Sequence, residues 1–227
     1  MNKLHIDQSR GYTGLANLGN TCFLNSCMQA LSHTYELTNL INSNTYKKHL
    51  KTSIPENIII NEWNDLRNIM WSQNGVVAPK RFVHNVQQLA VVKDRDLFTG
   101  WAQNDLPEFL LFIVECMHNS ISRSVTMNIK GKSKNKVDQL AVSCYEMLKK
   151  IYATEYSEIM DMFYGIYVSE LSSMNNKTIH SLRPESYFIL DLEIPNQKST
   201  LVDCFDSFTS YEMLENENAW FNEKTGK

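Results

Sequence analysis

The sequence predicts an α+β fold in which a helical region precedes a shorter β-rich region. Apolar residues recur at helical spacing through most of residues 13–160, as in amphipathic helices that share a core. Beyond them, Met162–Ser169 is aromatic and β-branched and Phe188–Ile194 alternates in polarity, so both segments are predicted as strands. Residues 1–12 are polar and form a predicted surface arm. The remaining residues, 161–227, form a partial β region.

The first predicted helix begins directly after a glycine-marked loop. Gly14 and Gly19 indicate a backbone that turns tightly, and apolar residues then recur on one helical face over Phe23–Leu31. Cys22 therefore lies in the first turn of this helix. Unpaired backbone N–H groups and the positive end of the helix dipole favour an anion there. The position thus favours the thiolate form of Cys22, which is the nucleophilic form.

The loop before this helix carries a second candidate residue. Asn17 has an amide NH2 that, with backbone N–H groups near Cys22, is placed to donate to a developing oxyanion. A single cysteine at a helix start also fits an inert, half-buried small apolar residue. The local pattern by itself leaves both interpretations open.

Further helices are predicted from apolar stripes, and the stripes up to Ala90 are interpreted as core faces and not as cofactor-binding motifs. A polar, lysine-rich loop separates the last two long helices. A short helix is expected over residues 201–208. The stripes are Ile59, Trp63, Leu66 and Met70; Phe82, Val86 and Ala90; Phe109, Ile113 and Cys116; and Val137, Leu140, Ala141, Cys144, Leu148 and Ile151.

Composition excludes several classes of function. The net charge of −3, from 22 basic and 25 acidic side chains, creates no global field for nucleic acid, and the basic run Lys130–Lys136 lacks interleaved aromatic residues. The longest apolar run, Phe109–Val114, is too short to cross a membrane. Five scattered cysteines without a Cys-x-x-Cys pair indicate neither disulfides nor zinc, and the polar N-terminus is no signal peptide. A reducing compartment, cytoplasmic or nuclear, is expected.

The run G-L-A-N-L-G-N-T-C-F-L-N-S-C-M-Q-A-L at Gly14–Leu31 closely resembles the cysteine box of the ubiquitin-specific proteases. These are papain-like cysteine deubiquitinases, so the resemblance implies a helical thumb followed by a β-rich fingers and palm region. It implies that Cys22 is the nucleophile, that Asn17 contributes to the oxyanion hole and that no cofactor is needed. The implied reaction is hydrolysis of isopeptide bonds at the C-terminal glycine of ubiquitin, and the implied partners are ubiquitin and ubiquitinated proteins.

The segment Q-N-D-L-P-E-F at residues 103–109 is similar to a second signature of that family. The resemblance implies that Gln103, Asp105 and Glu108 lie along the cleft for the extended, basic C-terminal tail of ubiquitin, where negative charge suits the ligand. A structural alternative explains the same residues. Asn104 or Asp105 can cap the helix that follows, and acidic side chains are favourable near a helix N-terminus.

The sequence departs from the family at the finger tips. The order of residues 163–214 resembles the entry into the fingers, where many members bind zinc through two Cys-x-x-Cys pairs. The corresponding positions here are Ser173, Asn176, Asn222 and Thr225. Without thiolates a structural zinc site is not expected, so no metal is predicted.

A larger departure concerns the general base. Acyl transfer by a thiolate needs a proton acceptor within hydrogen-bond reach, normally a histidine. In the family this histidine follows the fingers in a Gly-His-Tyr-like stretch, and the chain ends at Lys227 before such a stretch, so the palm is expected to be absent. Two interpretations therefore remain, a thiol-dependent deubiquitinase and a catalytically incomplete ubiquitin-binding module, with a helical interaction domain without a ubiquitin link as a third. The histidines are His5, His33, His49, His84, His118 and His180.

Overall fold

The computed structural model describes residues 10–173, 178–214 and 219–221, and it confirms the α+β prediction. The chain divides into two units, one ending at Phe188 and one beginning at Ile189. In the first unit the elements are β1 (Gly14–Leu15), α1 (Cys22–Ser32), α2 (Tyr35–Ser43), α3 (Asn57–Ser72), β2 (Val76–Val77), α4 (Lys80–Val92), α5 (Leu106–Ile121), α6 (Lys136–Glu155), α7 (Glu158–Phe163), β3 (Gly165–Ser172) and β4 (Ile179–Tyr187). In the second unit, α8 (Leu201–Phe208) is the described helix.

The core lies between helices α1 to α5, as the apolar stripes predict. Trp63 of α3, Phe82 of α4 and Phe109 of α5 are among its largest fully buried side chains. Every predicted stripe residue from Ile59 to Cys116 is buried. Because each of these helices has one apolar face, packing the faces together removes them all from water. None of the described helices is apolar and long enough to span a membrane.

Helix α6 forms where its periodicity predicts, but its apolar stripe is not buried. None of the residues of α6 is buried as the core residues are, and Val137 is 75% exposed. The helix packs against strand β4 of a two-stranded hairpin and not against the core between α1 and α5. A hairpin is too narrow to cover a helix of this length, so the stripe remains half-covered.

The strand prediction for Phe188–Ile194 is wrong. The second strand of the hairpin is β4, which pairs antiparallel with β3 from Gly165 opposite Tyr187 to Ser172 opposite Ile179. The alternation in 188–194 is real, but the segment has no ladder partner in the described part of the chain, and a strand exists only where it is paired. Phe188 instead packs its ring near those of Phe163 and Tyr164, with centroids 6.4 and 5.4 Å away.

The first predicted strand is shifted along the chain. Met162 and Phe163 belong to the end of α7, and the strand starts at Gly165, where the ring of Tyr187 lies directly over the backbone. A side chain at Gly165 would collide with that ring. The glycine therefore fixes where the hairpin begins, through close approach of a cross-strand aromatic residue.

Histidine 118 is the buried titratable group that ties α5 to α7. Its Nδ1 lies 2.7 Å from the hydroxyl of Ser157, which also accepts a hydrogen bond from the backbone N–H of Met160 at the start of α7. Burial lowers the pKa of His118, with the charge of Lys51 acting in the same direction and Glu155 and Glu115 opposing it. The neutral imidazole is therefore the form that the fold stabilises.

We expect the folded chain to lose stability on acidification through this residue. Because the pKa of His118 is lower in the folded than in the unfolded chain, the unfolded state binds more protons, so the free energy of unfolding falls as pH drops through the unfolded pKa of about 6.5. Urea unfolding at about pH 7.5 and pH 5.5 measures this loss. In His118→Gln the free energy of unfolding should fall by less over the same change in pH. An equal loss in both proteins would show that His118 is not responsible.

Candidate active site

Cys22 is the first residue of helix α1 and is exposed. The first hydrogen bond that closes a turn of the helix runs from Asn25 N–H to the carbonyl of Thr21, at 2.9 Å. Within the described residues, the backbone N–H groups of Cys22, Phe23 and Leu24 have no acceptor, and Thr21 provides no side-chain cap. These donors belong to the same first turn as Cys22, at the end of the helix where the dipole is positive.

The other cysteines contrast with Cys22. Cys27 and Cys116 are buried, and burial raises the pKa of each thiol to about 12. Such thiols stay protonated near neutral pH and act as small apolar core residues. All five cysteines are free thiols. Cys22 is exposed, whereas the alternative of an inert cysteine expects a half-buried side chain.

Asn17 is held in one orientation by the loop before α1. Its Oδ1 accepts hydrogen bonds from Gly19 N–H at 3.0 Å and from both the N–H and the hydroxyl of Thr21 at 3.1 Å. With the carbonyl oxygen directed into the loop, the amide NH2 is the free end, and it has no partner among the described residues. Asn17 therefore serves as the acceptor that shapes this loop and retains two unused donors.

Two further amides anchor the loop to helix α1. Asn25 donates to the carbonyls of Leu15 and Ala16 at 3.2 and 3.1 Å, and Gln29 donates to the carbonyl of Thr13 at 2.7 Å. Asn25 and Gln29 lie four residues apart, on one helical face. This spacing of two amides in an otherwise apolar helix was the signal in the sequence, and no role was predicted for either residue.

The β1–β2 pair holds the other end of the loop. Gly14 N–H donates to Gly75 O at 2.8 Å and Ala16 N–H donates to Val77 O at 2.9 Å, in parallel register. The loop is thus fixed by backbone pairing on one side and by side-chain amides on the other. Each strand has two residues, which is too short to leave a periodic pattern in the sequence.

The predicted tail-binding residues lie at the start of α5. Asp105 is the residue that precedes this helix, but its side chain makes no capping hydrogen bond, contrary to the capping interpretation. Gln103, Asp105 and Glu108 are exposed, and in the described part of the chain their side chains have no hydrogen-bond or ion-pair partner. Their polar groups are therefore available to a ligand.

The cysteine loop and the segment before α5 are in direct contact. Asn20 adopts a left-handed backbone conformation, with φ of 53°, and its side chain donates to the carbonyl of Trp101 at 2.9 Å. One turn into the helices, the rings of Phe23 and Phe109 meet edge to face at 5.1 Å. The two sequence motifs therefore form one continuous surface.

Of the histidines that the structure describes, His33 and His118 form hydrogen bonds with groups other than the Cys22 sulfur. None forms a hydrogen bond with the sulfur within the described residues; His5 lies outside them. His33 directly follows α1 and its Nδ1 lies 3.0 Å from the carbonyl of Gln29. His118 is buried against Ser157, and His84 lines a cleft on α4.

The residues at the predicted finger tips offer no thiolate. Ser173 donates its N–H to the carbonyl of Thr178 at 2.9 Å in the turn of the hairpin. Asn176, Asn222 and Thr225 lie outside the described residues. Among the residues that the structure describes, no cluster of three His, Cys, Asp or Glu could hold a metal ion.

The sequence of this chain is similar to one protein family and to individual members of it. The model of the family described as ubiquitin carboxyl-terminal hydrolase matches residues 13–215. The chain is 32% identical over 222 residues to ubiquitin carboxyl-terminal hydrolase 2 of Homo sapiens, covering 93% of this chain and 35% of that protein. It is 25% identical to ubiquitin carboxyl-terminal hydrolase 4 of Saccharomyces cerevisiae (strain YJM789), covering 91% of this chain and 24% of that protein.

Solved structures show the same fold. The SAGA DUB module bound to monoubiquitin contains a chain that matches with a TM-score of 0.67 at 18% identity, covering 98% of this chain and 44% of that chain. A chain of the module bound to ubiquitin aldehyde matches with a TM-score of 0.66 at 19% identity, covering 97% of this chain and 43% of that chain. This chain therefore spans less than half the length of the proteins that it matches.

Proposed function

Because the chain belongs to the ubiquitin carboxyl-terminal hydrolase family, we propose that it is a thiol-dependent deubiquitinase in which Cys22 is the nucleophile. The observation that carries the proposal is an exposed thiol at the first position of a helix whose leading N–H groups have no acceptor among the residues that the structure describes. The substrate would be an isopeptide bond at the C-terminal glycine of ubiquitin. Two solved structures with this fold are complexes with monoubiquitin and with ubiquitin aldehyde.

The proposed reaction is acyl transfer through a thioester. The Cys22 thiolate adds to the carbonyl carbon of the terminal glycine, and the resulting oxyanion accepts hydrogen bonds from the Asn17 NH2 and from backbone N–H groups at the start of α1. Collapse of this intermediate breaks the C–N bond and releases the lysine amine, which takes up a proton from water. Water then hydrolyses the thioester and regenerates the thiol. No cofactor takes part.

Gln103, Asp105 and Glu108 are proposed to bind the tail of ubiquitin. Their exposed polar groups lie at the start of α5, and the segment before that helix is joined to the cysteine loop by Asn20 and Trp101. A basic, extended peptide that crosses this surface would find two unpaired carboxylates there. This contact would hold the terminal glycine at Cys22.

The second candidate function is a ubiquitin-binding module that does not turn over. It is favoured by one observation, namely that no described side chain forms a hydrogen bond with the Cys22 sulfur. Release of fluorophore from a ubiquitin amide, with ubiquitin binding measured in parallel by calorimetry, separates the two functions. Hydrolysis that depends on Cys22 supports the enzyme, whereas binding without hydrolysis supports the module.

Asn17→Asp tests the oxyanion donor without removing the acceptor that shapes the loop. The aspartate keeps an oxygen for the N–H groups of Gly19 and Thr21 but replaces the donating NH2, so the rate constant of hydrolysis should fall about 100-fold or more. The midpoint of thermal unfolding should change little. Asn17→Ala removes both the donor and the acceptor, so it should lower the rate constant of hydrolysis and also the midpoint of thermal unfolding. Full activity in Asn17→Asp would remove this residue from the mechanism.

A further inference from the structure

A second recess lies beside the cysteine loop, on the side of helix α4. It is a cleft of about 330 Å³, referred to here as the α4 cleft, which is near the small end of ligand pockets. It directly abuts the candidate active site, since Leu18 follows Asn17 and the Trp101 carbonyl accepts the hydrogen bond from Asn20. Its lining residues are Leu18, Lys80, Val83, His84, Gln87 and Trp101.

The α4 cleft carries positive charge at Lys80. None of its lining residues is acidic, and Lys80 and His84 are exposed, four residues apart on one face of α4. Their side chains have no hydrogen-bond or ion-pair partner in the part of the chain that the structure describes. The carboxylates of Glu62 and Asp65 are both paired with Arg81, the residue after Lys80.

The remaining lining residues suit a peptide. Trp101 is 53% exposed and offers a broad apolar surface, with Leu18 and Val83 beside it. Gln87 is oriented by its hydrogen bond to the carbonyl of Gly100, at 3.0 Å. A cleft with apolar walls, and with the cation of Lys80 and the imidazole of His84 on one side, matches a short extended segment that carries negative charge.

We propose that the α4 cleft binds acidic residues flanking the modified lysine of the substrate protein, an inference that rests on the proposed function. The tail of ubiquitin is basic, so it is attracted by Asp105 and Glu108 at the start of α5 and repelled by Lys80. The two surfaces therefore favour partners of opposite charge. Because the cleft abuts the loop before Cys22 but disfavours the basic tail, the part of the conjugate that suits it is the modified protein, and it selects conjugates with acidic surroundings.

The test is the binding of fluorescein-labelled peptides, followed by anisotropy at low salt. The acidic peptide has two glutamates on each side of a lysine that is acetylated, because the isopeptide nitrogen is uncharged; the neutral peptide has glutamines instead. The acidic peptide should bind about tenfold more tightly, and added salt should reduce the difference. Equal affinities for the two peptides would overturn the proposal.

Matched variants locate the site. Lys80→Glu should abolish the preference for the acidic peptide, and His84→Glu should do the same through an independent position. Lys132→Glu makes the same charge change in an exposed loop and should keep the preference. If Lys80→Glu and Lys132→Glu lose equal affinity, the α4 cleft is not the site. Because peptide binding needs neither Cys22 nor ubiquitin, failure here is distinguishable from failure to hydrolyse a ubiquitin amide.

Discussion

Replacing Cys22 with alanine is expected to abolish hydrolysis of a fluorogenic ubiquitin amide while leaving the fold intact. The thiolate forms the covalent bond in the proposed reaction, so its removal should lower the rate by a factor of about 10⁴ or more. The side chain is exposed and α1 begins at this position, so the midpoint of thermal unfolding should shift little. The measurement is the initial rate of fluorophore release under saturating substrate.

The matched control is Cys144→Ala, which removes a partly exposed thiol from α6. It should hydrolyse the substrate at the rate of the unchanged chain. Ubiquitin affinity should be similar in all three proteins, because the proposed tail contacts lie at the start of α5. Equal hydrolysis by the unchanged chain and Cys22→Ala would refute the thiol mechanism. If the unchanged chain and Cys22→Ala bind ubiquitin equally and neither hydrolyses the substrate, the chain is the ubiquitin-binding module without turnover.

The helical region was predictable because its signal is local. A stripe such as Ile59, Trp63, Leu66 and Met70 records which face of one helix meets the core, whatever its partners are. The stripe of α6 shows the limit of that signal, since periodicity reports the apolar face and not the area that covers it. Strand Ile179–Tyr187 was missed in favour of residues 188–194 because pairing, and not alternation alone, defines a strand.

The candidate site was predictable in its reactive residue but not in its supports. Cys22 at a helix start follows from the glycine-marked loop and the apolar stripe after it. That the oxygen of Asn17 shapes this loop, and that Asn25 and Gln29 anchor it, depends on contacts across the fold. In the sequence such contacts leave only two amides four residues apart on one helical face, and that spacing does not show which backbone groups the amides bind.

The largest loss of stability from a single substitution is expected at Phe109, which joins the core to the candidate site. Its ring is fully buried and meets Phe23 at 5.1 Å and Phe98 at 5.5 Å, both edge to face. Phe109→Ala removes this burial and leaves a cavity beneath the first turn of α1. The free energy of unfolding should fall by about 3–5 kcal/mol, measured by urea unfolding with an unchanged slope.

The control for Phe109→Ala lies on the same helix. Leu111 is 42% exposed, so Leu111→Ala should lower the free energy of unfolding by less than about 1 kcal/mol. Phe23 directly follows Cys22 and packs on Phe109, so the cavity in Phe109→Ala should also loosen the backbone that holds the nucleophile. Activity per folded molecule should therefore fall in Phe109→Ala and not in Leu111→Ala. A destabilised Phe109→Ala that keeps full activity per folded molecule would show that the core and the site are uncoupled.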